Sequence, residues 1–348
     1  MTIIDARALR EPFPTGVTEV AGQFIRNLDQ IIPDAVKFTG EKNFSNSLTN
    51  FSLMCGLTTL EQQSGVHTKR ALCFLPNTHF INTQPTAVRI QVVHDLSFFH
   101  SPQWYSPRVR AWHRATNARH EISVADTVIA VSEFTKNDLI TYLKIPAEII
   151  HVVNPATPPA IGGTHPKLPF KNKPFFLFLG TLEKRKNVRG VIEAFELIKN
   201  IPALSDFQLV LAGRPGYGAP KKSELPDRVH HLSYITPEEK WWLLKHAAAL
   251  VYPSFFEGFG LPPLEAASVG CPTIVSDCTA LPETMGDASV FVSPYDVAQI
   301  ANAMEAVATD KKLVTRLRER GFARAAWYSL GKQRAALQLA VAHAQSHL

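Results

Sequence analysis

The sequence predicts an α/β chain folded into doubly wound parallel sheets. Three observations carry that expectation. Short runs rich in Val, Ile and Phe recur without polar alternation, which is how strands buried on both faces of a parallel sheet read. Longer amphipathic segments separate these runs, as helices lying on the sheet faces would. A Pro- and Gly-dense break at Asn154–Lys173 divides the chain into halves of similar size.

The expected strands of the first half are Thr2–Ile4, Leu72–Leu75, Ile90–Val93, Thr127–Val131 and Ile149–Val152. Those of the second half are Phe175–Leu179, Phe207–Leu211, Ala249–Tyr252, Thr273–Val275 and Ser289–Phe291. Asn187–Lys199 and Pro237–His246 read as helices between them. The break runs Asn154-Pro155-Ala156-Thr157-Pro158-Pro159-Ala160-Ile161-Gly162-Gly163. Pro fixes φ and removes donors while Gly loosens the chain, so a linker is expected there; the alternative is a long surface loop.

Composition bounds the rest. The chain has 348 residues, 45% of them apolar and 19% charged, which excludes a disordered chain and allows two domains. Lys plus Arg is 36 and Asp plus Glu is 30, giving +6, a weak pointer to an anionic partner. Cys55, Cys73, Cys271 and Cys278 form no close pair, so neither a disulfide framework nor a structural zinc site is expected, and a reducing, cytoplasmic setting fits. Met1 to Glu11 carries Asp5, Arg7 and Arg10 with no long apolar stretch behind, so no signal peptide is expected. Apolar blocks such as Phe175–Leu179 fall far short of the ~20 residues that span a bilayer. The glycosylation-like triplets at Asn43 and Asn50 mean little in a cytoplasmic chain. No P-loop, H-E-x-x-H or G-x-S-x-G motif occurs, and Gly258-Phe259-Gly260 lacks the third Gly of a dinucleotide fingerprint.

The densest signal is Ser254-Phe255-Phe256-Glu257-Gly258-Phe259-Gly260-Leu261-Pro262-Pro263-Leu264-Glu265-Ala266. A strand ending near Tyr252 runs through a Gly-containing loop into a helix near Pro262. Free N–H groups at a helix start, with the positive end of the dipole behind them, bind phosphate. Glu257 and Glu265 flank that spot and would accept hydrogen bonds from sugar hydroxyls. Alternatively, Glu257 is a solvated loop residue and Glu265 supports the first helical turn. The second signal is Gly180-Thr181-Leu182-Glu183-Lys184-Arg185-Lys186-Asn187, which puts cations at a helix N-terminus where the dipole disfavours them. An anionic ligand explains them, Arg as a fork and Lys as a point charge; a solvated basic turn is the alternative. Both signals follow strands of one half, where open α/β sheets bind ligands.

His94 in Val92-Val93-His94-Asp95-Leu96 ends a buried strand, placed to bond a substrate or shuttle a proton, or simply to tie down a loop. Gly16 in Thr15-Gly16-Val17 opens a helix after the first strand, either to let backbone approach a diphosphate or for plain turn geometry.

These residues resemble family 4 glycosyltransferases of the GT-B fold. The resemblance also takes in Ala212-Gly213, Gly270-Cys271-Pro272, Leu281-Pro282-Glu283, Val93-His94-Asp95-Leu96 and Val131-Ser132-Glu133-Phe134-Thr135-Lys136. It implies two Rossmann-like doubly wound domains facing across a cleft: an acceptor-side domain at 1–155, a linker at 156–172, and a nucleotide-sugar domain at 173–328. A final helix at 329–348 would cross back to the first domain. It implies retaining sugar transfer from a nucleotide diphosphate sugar by front-face attack. Glu257 would contact the hexose, Gly258, Phe259, Gly260 and Leu261 would hold diphosphate and sugar, and Glu265 would bind the ribose. Arg185 and Lys186 would neutralise the leaving diphosphate, in place of a metal. Gly180 would lie in the donor loop, His94 beside the sugar, and Gly16 over the phosphates.

Asp95-Leu96-Ser97-Phe98-Phe99-His100-Ser101-Pro102 and the Arg-rich stretch after it resemble bacterial mannosyltransferases that build O-antigen or exopolysaccharide on a lipid carrier. That resemblance implies GDP-mannose as donor and a lipid-linked saccharide as acceptor. UDP-glucose and dTDP-rhamnose users share the motifs, and an epimerase or a catalytically dead binding subunit are rival readings. Arg108, Arg110, Arg114 and Arg119, near Trp104, Tyr105 and Trp112, would suit an anionic membrane surface, or form a solvated helix face. No metal, no other cofactor and no nucleic-acid partner is expected.

Overall fold

The computed structural model describes residues 1–10, 16–39, 58–66, 70–77 and 81–348. Asn43, Asn50 and Cys55 lie outside the described residues. The strands form two six-stranded sheets, all parallel. Each sheet belongs to one of two compact units.

The first unit holds Met1–His100, Pro107–Ala156 and Ser329–Leu348. Its strands are β1 (Thr2–Asp5), β2 (Val36–Phe38), β3 (Leu72–Leu75), β4 (Val88–Val93), β5 (Thr127–Ala130) and β6 (Ile150–Val152), in the order β2-β1-β3-β4-β5-β6. The interior strands β1, β3 and β5 are buried at every residue, whereas the edge strands β2 and β6 are only partly buried. Helix Gly16–Ile31 buries Phe24, Ile25 and Leu28, the helical spacing of a core-facing stripe. Helix Leu330–Gln345 joins this unit through Gln333. The Gln333 amide donates to Gln23 Oε1 at 3.0 Å and its oxygen accepts from Asn27 Nδ2 at 2.6 Å. A buried amide network with its partners in place fixes register as well as contributing stability.

The second unit holds Ser101–Ser106 and Thr157–Tyr328. Its strands are β7 (Phe175–Leu179), β8 (Gln208–Ala212), β9 (Val229–Leu232), β10 (Ala249–Tyr252), β11 (Thr273–Ser276) and β12 (Val290–Val292), in the order β12-β11-β10-β7-β8-β9. Again the four interior strands are buried throughout and the edges are not. Helices Val188–Ile198 and Val297–Thr309 cover the sheet with Val191, Phe195, Ile300 and Met304. The chain leaves β7 towards β8 and β9, then returns to lay β10 on the other side of β7. The loops after β7 and β10 therefore leave from adjacent carboxyl ends, the switch point where such sheets bind ligands.

The doubly wound class is the one expected, and ten strands fall where the apolar runs predict, within a residue or two. Two others, β2 and β9, are missed. Both are edge strands, reading Val-Lys-Phe and Val-His-His-Leu, and an edge needs no continuous apolar run. The break after Asn154 contains no regular structure up to β7. Its later part packs within the second unit: Thr164 N–H donates to the Glu238 carbonyl at 3.2 Å and His165 lies 4.3 Å from the Trp242 ring.

Gly213, after β8, has φ +142°, and a Cβ there would stand 2.1 Å from the Gly180 carbonyl oxygen. Backbone cannot yield as a flexible side chain would. Gly213→Ala is expected to lower unfolding free energy by at least about 2 kcal/mol, read from urea denaturation. A change within a few tenths of that unit, on the order of ordinary surface substitutions, would refute the tight approach of these two loops.

Candidate active site

The loops after β7 and β10 bring their polar groups into one connected chain. Tyr252, the last residue of β10, donates its phenol proton to Glu257 Oε1 at 2.9 Å and accepts from Lys186 Nζ at 2.8 Å. Arg185 Nη1 lies 3.3 Å from Glu257 Oε2 and donates to the Phe256 carbonyl at 2.7 Å. The Nε and Nη2 of Arg185 donate to Glu183 Oε1 at 3.2 and 2.9 Å. The order is therefore Lys186, Tyr252, Glu257, Arg185, Glu183, each bonded or ion-paired to the next.

Local structure explains the placement. Lys184–Lys186 forms a single 3-10 turn, and Asn187 then caps helix Val188–Ile198 by accepting from Gly190 N–H. The cations thus sit just ahead of a helix N-terminus. Gly180 makes room for one of them: a Cβ at that position would be 2.8 Å from Lys186 Nζ. The ammonium reaches Tyr252 across a position that carries no side chain.

Burial pushes the Glu257 carboxyl up, but the Arg185 and Lys186 cations and the Tyr252 hydroxyl outweigh it and hold the group below its ordinary value. It is a carboxylate at neutral pH. Tyr252 moves the other way: burial and the Glu257 charge push its phenol well up, so it remains a proton donor.

Helix Leu261–Ser268 begins one residue earlier than expected, with Gly260 as its cap residue. Pro262 and Pro263 then occupy its first turn and contribute no N–H. The expected cluster of helix-start donors is correspondingly reduced to Gly258–Leu261. Among the described residues, the amides of Phe259, Gly260 and Leu261 donate to no backbone carbonyl. Phe259 and Leu261 are buried. Glu265 is buried too, and its Oε1 pairs with Lys240 Nζ at 2.6 Å. Helix Pro237–His246 supplies that lysine.

His94 and Gly16 belong to the first unit. Burial lowers the His94 imidazole below its ordinary value, so it is neutral near pH 7. Its Nε2 carries the proton, donated to the Pro76 carbonyl at 2.8 Å. Nδ1 remains as an acceptor, an arrangement suited to receiving a hydrogen bond from a hydroxyl and not to delivering a proton. Gly16 is exposed as the first residue of its helix, with open space where a Cβ would be. Thr15 lies outside the described residues. Arg108, Arg110 and Arg114 lie on helix Pro107–Ala115, none of whose residues is buried, and Arg119 lies on the next helix. Among the described residues no helix is long and apolar enough to cross a membrane, and no three His, Cys, Asp or Glu side chains are grouped to hold a metal ion.

Sequence reasoning brings Glu257, Arg185, Lys186, Gly180 and Gly258–Leu261 to this site, and the structure gathers them there. It misses Tyr252 and Lys240. Tyr252 read as one more apolar residue of a buried strand, and Lys240 sits 25 residues before its partner on another helix.

Comparison with known proteins adds to this geometry. Residues 164–324 match the family described as "Glycosyl transferases group 1". The chain is 31% identical over 226 residues to O-antigen chain mannosyltransferase B of Escherichia coli, covering 61% of this chain and 59% of that protein. It is 27% identical over 265 residues to the serotype-specific mannosyltransferase WbdA of Escherichia coli, covering 68% of this chain and 31% of that protein. The chain thus spans less than two thirds of the length of these curated relatives. Among solved structures, sucrose-phosphate synthase from Thermosynechococcus elongatus superposes with a TM-score of 0.69 at 18% identity, covering 99% of this chain and 98% of that one. At that identity the likeness is one of fold.

Proposed function

We propose, from the match of residues 164–324 to the glycosyl transferases group 1, that the chain is a retaining hexosyltransferase that moves mannose from GDP-mannose to a growing, lipid-linked saccharide. The observation that carries the reading is the Lys186–Tyr252–Glu257–Arg185 chain at the switch point of the second sheet. The mannosyltransferase names of the two curated relatives support mannose as the sugar.

The chemistry follows from the charges. Breaking the anomeric C–O bond leaves electrons on the departing diphosphate and positive charge on the sugar. Lys186, Arg185 and the amides of Phe259 to Leu261 stabilise the first, already oriented before the bond breaks. The Glu257 carboxylate lies beside the second and accepts from sugar hydroxyls. Glu265, held by Lys240, receives the ribose hydroxyls. The acceptor hydroxyl forms the new C–O bond on the face the diphosphate leaves, and its proton goes to the departing phosphate oxygen. The free thiols Cys73, Cys271 and Cys278 suit a reducing cytoplasm, where we place the protein.

Two experiments check this reading. In a thermal-shift screen of GDP-, UDP- and dTDP-sugars, GDP-mannose is expected to raise the melting temperature most, because a ligand that binds only the native state stabilises it by mass action. A larger shift with UDP-glucose or dTDP-rhamnose would move the donor assignment to that nucleotide. With Arg185 and Lys186 neutralising the diphosphate, transfer is expected to be unchanged in EDTA; loss of turnover restored by one divalent ion would contradict that role.

A further inference from the structure

The second unit contains a cavity of about 530 Å³ beside the Lys186–Tyr252–Glu257–Arg185 chain, sharing Glu183 with it. It is lined by Gln103 and Trp104 from the segment Ser101–Ser106, and by Glu183, Lys184, Arg189 and Phe255 among others. Its volume falls in the range of about 300–1,000 Å³ usual for small-molecule sites. We propose that this cavity is a saccharide subsite that holds the sugar acceptor next to the donor, an inference that rests on the transferase reading above.

The lining decides the ligand class. Trp104 and Phe255 stack with ring centroids 6.1 Å apart and planes 14° apart, and Phe255 continues onto Tyr295 at 5.0 Å. Trp104 and Phe255 give the cavity an aromatic, apolar side. Around it stand an acceptor, Glu183, two cationic donors, Lys184 and Arg189, and the Gln103 amide, which is both. A pyranose suits both parts: its C–H face packs on the rings and its hydroxyls donate to the carboxylate and accept from the cations. Lys184 is further held by the Tyr217 ring, 5.0 Å from its Nζ.

The cavity also adjoins the chemistry. Glu183, in its wall, accepts two hydrogen bonds from Arg185, whose Nη1 lies 3.3 Å from Glu257. A sugar hydroxyl bonded to Glu183 is thus one residue away from the carboxylate beside the donor sugar. Glu183 and Arg185 would transmit occupancy of one subsite to the other.

The test uses the full chain and an α-linked mannotriose as probe, followed by saturation-transfer NMR, with GDP-mannose binding followed separately by thermal shift. Saturation transfer is expected to the ring C–H protons of the mannotriose, falling at least tenfold in Trp104→Ala and in Arg189→Ala. Trp104→Phe, which keeps a flat ring, is expected to stay within about threefold of the wild-type signal, as the aromatic wall requires. The GDP-mannose shift should be unchanged in all three variants. If GDP-mannose binds while mannotriose gives no transfer, or gives the same transfer in every variant, the subsite is refuted and the donor reading stands. If mannotriose binds through Trp104 but no nucleotide sugar shifts the melting temperature, the subsite stands and the transferase reading fails.

Discussion

Glu257→Ala is expected to lower kcat/KM by about 10²–10³-fold or more, the loss seen when one preorganised electrostatic group is removed from a transition state. The carboxylate sits between Arg185 and Tyr252, ionised despite its burial because their positive charge and hydroxyl hold it so. Its removal takes the acceptor from the buried Tyr252 phenol and one of two carboxylate partners from Arg185, which keeps Glu183, so some stability is lost as well. Glu257→Gln separates the two effects. It keeps the shape and an oxygen for Tyr252 but not the charge. Its thermal melt should lie near that of the wild type while its turnover remains as low as that of the alanine variant. Wild-type-like turnover in either variant, measured as GDP release with acceptor present, would remove Glu257 from the chemistry.

Lys186→Ala carries the second large effect, again about 10²–10³-fold in kcat/KM. The ammonium crosses above Gly180 to reach Tyr252 at 2.8 Å, so its position is fixed by a missing side chain on one side and a buried phenol on the other. Charge accumulates on the leaving diphosphate as the bond breaks, so most of the loss should appear in kcat and less in KM. Lys186→Arg should not restore activity, because the planar fork cannot occupy the narrow space above Gly180 that a single ammonium fills. Rescue by Arg to near wild-type kcat would show that bulk positive charge suffices and that the geometry with Tyr252 does not matter.

What could be read from the sequence divides along a physical line. Interior strands were legible because burial on both faces demands unbroken apolar runs, as in Phe175–Leu179. The edge strands β2 and β9 were not, because half of each edge faces outward and tolerates Lys37, His230 and His231. Motif residues of the site were legible because they cluster within two short loops. The groups that complete it come from elsewhere in the chain. Tyr252 looks like a core aromatic until its hydroxyl is seen between Lys186 and Glu257. Glu265 looks like a lone carboxylate until Lys240 is found beside it. The membership of Ser101–Ser106 in the second unit, and hence the Trp104 wall of the cavity, has no local signal at all. Pro262 and Pro263 were visible from the start, yet their consequence for the free amides at the helix start emerges only once the helix is seen to begin at Leu261.

The central claim is that this site binds GDP-mannose and breaks its anomeric bond from the face on which the phosphate leaves. The most direct measurement needs no acceptor: GDP-mannose alone is incubated with the protein and followed by proton NMR from the first minutes. Slow leakage to water is predicted to release GDP together with α-mannose as the first-formed anomer, at a rate abolished by Glu257→Gln. First release of β-mannose would contradict retention, and conversion of the donor to an isomeric nucleotide sugar would contradict glycosyl transfer altogether.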